Sequence, residues 1–93
     1  MKIGLLRVDL RIPSCESIKV KRGIIKRYIN RLRREFNVGV SEIGNHDKRY
    51  ACSLGIVTIY GKDDNVDKTL RRIVELFEHS SDVQVWDYHI EII

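Results

Sequence analysis

Phosphate binding asks for cations held at fixed spacing, and Lys19, Lys21, Arg22, Lys26, Arg27, Arg31, Arg33 and Arg34 crowd one short stretch of the chain. Each Lys or Arg set against a phosphate releases a condensed counterion, so a row of them on one rigid element makes an anion-binding surface. At about 100° per residue, Lys19, Arg22, Lys26 and Arg33 align along one helix flank, and Arg27, Arg31 and Arg34 lie on the outer side. Glu35 is the single carboxylate among them. The plainer alternative is a solvated helix face, because Lys and Arg are good helix formers and suit the last turn. Lys21 falls inside the apolar arc instead. Snorkelling, with the stem over apolar surface and the ammonium reaching water, is the first reading for it. A structural ion pair and an anion site at the helix entrance are the others.

Other chemistry is thinly represented. Cys15 is the one candidate nucleophile, since a helix N-terminus and Lys19 would lower its pKa. No His stands in a spacing that would make it a base, so Cys15 reads better as a small loop residue. Cys15, Cys52, His46, His79 and His89 lack metal-ligand spacing. The loop Ile12-Pro13-Ser14-Cys15-Glu16-Ser17 has no glycine for an amide cradle around phosphate. Base stacking on a sheet would need aromatics where Leu5 and Arg7 stand. The expectation is a non-enzymatic protein with no catalytic residue, metal or cofactor.

The elements that must position the basic row are readable from periodicity. Gly4, Leu6, Val8, Leu10 and Ile12 alternate with Ile3, Leu5, Arg7, Asp9 and Arg11, which predicts a strand over 2–12 with the first set inward. Ser14 or Ser17 caps a helix whose apolar residues are Ile18, Ile25, Tyr28, Ile29, Leu32 and Phe36. A second strand starts at Val38, and Gly44-Asn45-His46-Asp47 marks a turn. Over 50–60 a third strand is apolar on both faces, Cys52, Leu54 and Ile56 against Ala51, Val57 and Ile59, which leaves its inner face open. Asp63 and Asp64 favour the start of a second helix with the stripe Val66, Leu70, Ile73, Val74 and Phe77. The last strand, 83–93, changes phase after Val85, and a bulge near 85–87 or burial of both faces accounts for that.

The order β-α-β-β-α-β predicts an α+β, ferredoxin-like split βαβ, with strand order 4-1-3-2 and both helices on one face. The 93 residues suffice for a single domain spanning 1–93. Net charge is +4, with residues 1–47 carrying the positive excess and 48–93 a slight negative one. No apolar run is long enough for a signal peptide or membrane helix, and two cysteines are too few for a secreted disulfide scaffold. Both point to the cytoplasm.

Ser17-Ile18-Lys19-Val20-Lys21-Arg22, then Arg31-Leu32-Arg33-Arg34-Glu35-Phe36-Asn37-Val38-Gly39-Val40-Ser41-Glu42, resembles the YlxP-like family of small bacterial proteins of unknown function. That family reads S-L-K-x-K-R and R-L-R-x-x-F-N-V-S-V-A-E. Leu54-Gly55-Ile56, Asp47 and the apolar last strand fit as well. One departure is Lys48-Arg49, where the family has an apolar-aromatic pair. The resemblance implies a ferredoxin-like fold and, by gene neighbourhood, an association with translation initiation and ribosome maturation. It carries over no catalytic residue.

Two functional expectations follow. The first is contact with structured RNA or ribosomal particles through the basic helix. The second is a homodimeric protein- or ligand-binding module using the open sheet face, with Ile3, Leu5, Trp86, Tyr88, Ile90 and Ile92 as interface candidates on that face or at the margin of the last strand.

Overall fold

Period-two alternation at the start of the chain becomes β1 (Lys2–Arg11), and the elements that follow are α1 (Ile18–Glu35), β2 (Val38–Gly44), β3 (Ala51–Tyr60), α2 (Val66–Glu78) and β4 (Gln84–Ile92). The computed structural model describes residues 1–62 and 65–93. The strands form one antiparallel sheet in the order β2-β3-β1-β4, the expected 4-1-3-2 read from its other margin. Both helices cover the same face. Ile25 and Leu32 of α1 and Leu70, Ile73 and Phe77 of α2 share one core with Leu6, Val8 and Leu10 of β1. The rings of Tyr28 and Phe77, 5.3 Å apart, join the two helices.

Register settles the ambiguous strand. Leu6 lies opposite Ile56, Val8 opposite Leu54 and Leu10 opposite Cys52, so these β3 side chains point inward with their β1 partners. Val57 and Ile59 face outward and are exposed. Two bulges adjust the sheet. Asp9 pairs with Asp87 but Leu10 with Val85, so Trp86 is the extra residue that shifts the phase of β4. Glu42 pairs with Leu54 and Gly44 with Ser53, which makes Ile43 a second extra residue in β2.

The side chains of α2 press directly on β1 at Gly4. A Cβ at Gly4 would stand 2.5 Å from Val66 Cγ1 and 2.9 Å from Leu70 Cδ1, so only glycine admits the helix at this distance. Asp67 sits in the first turn of α2 and pairs with Arg71 at 2.7 Å. The expected acidic pair Asp63 and Asp64 lies outside the described residues. Among those described, no helix is long and apolar enough to cross a membrane.

Candidate phosphate-binding surface

The rotation of α1 is set at both ends and along its core stripe. Ser17 is the N-cap, its Oγ accepting from the Val20 N–H at 3.1 Å. Phe36 closes the helix by donating its N–H to the Leu32 carbonyl at 2.9 Å. With Ile25 and Leu32 buried, the flank carrying Arg22, Lys26, Asn30 and Arg33 turns toward the margin of the sheet. There it lines a groove of about 340 Å³ with Val40 and Ser41 of β2. Arg33 Nη2 also donates to the Val40 carbonyl at 3.0 Å, tying the helix to β2 while keeping its charge.

The eight basic residues divide into distinct groups. Lys21 corrects the snorkelling and anion-site readings and forms the structural ion pair instead, with the chain's own Glu42. It is 0% exposed. Its Nζ donates to the carbonyls of Asn45 at 2.7 Å and Lys48 at 2.8 Å, and lies 3.1 Å from Glu42 Oε2. Glu42 pairs in register with inward-facing Leu54, so both charges occupy core-side positions and neutralise one another there. Lys21 therefore anchors the β2–β3 turn. Arg27 is held by Asp82 at 3.1 Å and Arg31 by Glu35 at 2.8 Å. Among the described residues, Lys19, Arg22, Lys26 and Arg34 form no ion pair; with Arg33 they leave five uncompensated cations on α1.

Tyr28 and the two cysteines are held by local contacts. Tyr28 hydrogen-bonds Asp82, and burial together with that carboxylate raises its pKa. Cys52 is buried beneath the Lys21–Glu42 pair, and burial, with the Glu42 charge next, pushes its thiol up to about 12. Cys15 is buried with its Sγ donating to the Ser17 carbonyl at 3.2 Å. Both cysteines are free. No three His, Cys, Asp or Glu residues converge as a metal site among the described residues.

The six apolar interface candidates do not form one surface. Ile3 and Leu5 lie on the open face, where a hollow of about 430 Å³ is lined by Leu5, Arg7, Gly39, Ile43, Gly55 and Val57. Trp86 stacks under the Arg11 guanidinium, 4.4 Å from its ring centre. Tyr88, Ile90 and Ile92 pair with Val8, Leu6 and Gly4, which puts them on the helix side at the free margin of β4. The partners of Lys21 and Arg33 were missed in sequence. The one signal for the first was a pair of charged residues, Lys21 and Glu42, each in the inward phase of its element.

Comparison with known proteins gives a relative, a structural likeness and a family. The "Uncharacterized protein YlxP" of Bacillus subtilis (strain 168) is 29% identical over 82 residues, covering 88% of this chain and 89% of that protein. The solved structure of "De novo designed protein Foldit4" superposes with a TM-score of 0.55 at 12% identity, covering 98% of this chain and 96% of that one, a likeness of fold alone. The model of the family described as "Protein of unknown function (DUF503)" matches residues 3–90, and the chain belongs to that family.

Proposed function

We propose that this chain is a non-enzymatic, cytoplasmic RNA- or ribosome-associated accessory protein that contacts phosphates through α1. Its β-α-β-β-α-β order on a β2-β3-β1-β4 sheet is read as the ferredoxin-like arrangement. The observation that carries the functional reading is the unpaired row Lys19, Arg22 and Lys26, extended by Arg33 and Arg34, beside a groove at the α1–β2 margin. Such a row positions a phosphate backbone without reading bases. Free cysteines suit a reducing compartment.

A second reading draws on the apolar hollow over Gly39 and Gly55, which suits a protein- or ligand-binding module. One experiment separates the two. The full chain is captured from native lysate with and without nuclease. Ribosomal particles lost on nuclease treatment are the expected result. A discrete protein retained after nuclease, with no RNA in the untreated sample, would overturn the RNA reading in favour of the second.

A further inference from the structure

The two margins of the sheet are not equivalent. At the β2 margin, Arg33 occupies the Val40 carbonyl and the bulge at Ile43 interrupts the strand. Both are ways of closing an edge to further strands. At the β4 margin the bulge at Trp86 disturbs only the beginning of the strand. Ile3 and Ile93 exchange both backbone hydrogen bonds, at 3.2 and 2.8 Å. In an antiparallel ladder the bonding residues alternate, so Ile93, Glu91 and His89 turn their backbone groups to β1. Tyr88, Ile90 and Ile92 turn theirs outward. The Tyr88 N–H meets only the Asp87 carboxylate, at 2.9 Å. Among the described residues, nothing bonds the outward groups of Ile90 and Ile92.

We propose that this margin pairs with β4 of a second copy of the chain, antiparallel and with Ile90 on the two-fold axis. Charge selects the register. Centring on His89 would set Asp87 against the partner's Glu91, and centring on Glu91 would set that carboxylate against its own copy. Centring on Tyr88 would draw the Trp86 bulge into the ladder. Centring on Ile90 places His89 opposite the partner's Glu91 on one face, and Tyr88 opposite the partner's Ile92 on the other. Ile90 then exchanges both backbone bonds with its counterpart, and so does Tyr88 with the partner's Ile92, displacing the Asp87 cap. His89 and Glu91 form the non-hydrogen-bonded pair, whose side chains approach most closely. Arg7 lies across from His89 on β1, and Asp87 flanks it on β4. α2 packs over both β1 and β4. Strand spacing therefore brings the two α2 helices to about 10 Å, the distance at which helices pack.

So narrow an interface sits at the small end of stable ones and calls for a high protein concentration. The test is independent of α1 and uses no RNA. The full chain is sedimented at about 100 µM, where the dimer should dominate. Ile90→Pro removes an outward N–H, together with some packing of the Ile90 side chain on the core, and leaves the β1 ladder intact. Ile92→Lys puts a charge into the pairing. Each variant should sediment as a monomer with the wild-type circular dichroism spectrum. Ile90→Cys should cross-link to its counterpart through a short bifunctional thiol reagent, because directly opposed hydrogen-bonded ladder residues stand about 5.5 Å apart. Val57→Cys on the open face should not. A monomeric wild type, a dimer that survives both β4 substitutions, or cross-linking at Val57 and not at Ile90 would overturn the proposal.

Discussion

Lys21 carries an ammonium into the interior because two loop carbonyls and Glu42 surround it there. Removing one member of a buried pair leaves the other without compensation and costs about 3–5 kcal/mol. Lys21→Met should lower unfolding stability by that amount in urea titration, and Glu42→Gln by less, since the carbonyls still hold the ammonium. An unchanged urea midpoint for Lys21→Met would contradict the anchoring role. The anomaly was legible in sequence, for a lysine in an apolar arc needs an explanation. Its partners were not, because Glu42, Asn45 and Lys48 reach it only through tertiary register. Cys52 gives a second residue-scale prediction. Burial, with the Glu42 charge next, pushes its thiol up to about 12 in the fold. An acid whose pKa is raised by folding stabilises below its unfolded pKa, and that contribution is lost as pH rises toward the folded one. Stability should therefore fall between about pH 9 and 12, by up to ~1.4 kcal/mol per pH unit from this group. Cys52→Ala should flatten that limb of a stability–pH curve, and a limb of the same slope in the variant would exclude Cys52 as its cause.

Helices and strands were the most legible level, since alternation and the 3.6-residue stripe report local burial directly. The stripe of α2 is buried at all five positions, Val66, Leu70, Ile73, Val74 and Phe77. The phase change in β4 left a bulge and burial of both faces open, and the register selects the bulge, because one extra residue reverses which side chains face inward. The bulge at Ile43 left no such trace, as Gly39, Ser41 and Gly44 give the short β2 little apolar pattern to interrupt. The inner face of β3 depended on pairing with β1, for apolar residues stood in both of its phases. Gly4 read as one member of the inward set of β1, yet its size matters more than its phase. Gly4→Ala would press on Val66 and Leu70 and should cost about 1–3 kcal/mol, seen as a lower thermal midpoint. A wild-type midpoint in this variant would mean that α2 is free to move away from β1.

At the scale of the whole molecule, charge distribution separates α1 from the rest. Composition located the positive half of the chain but could not tell cations held by neighbours from cations left to solvent. Asp82 lies in the segment between α2 and β4, far in sequence from the Arg27 it neutralises, and Glu42 lies on a different element from Lys21. After those pairings and the Arg31–Glu35 pair, the uncompensated charge gathers on the β2-facing flank of α1 and at its C-terminal end. A field of this kind draws a polyanion without requiring a specific sequence.

The most direct measurement is the affinity for a structured RNA hairpin as a function of salt, for the wild type and for the Arg22→Glu/Lys26→Glu double variant. The wild type should show a linear fall of log affinity with log salt, and the variant should bind more weakly with a slope shallower by about two. Equal slopes for the two proteins, or no wild-type binding at low salt, would contradict a phosphate-contacting role for α1.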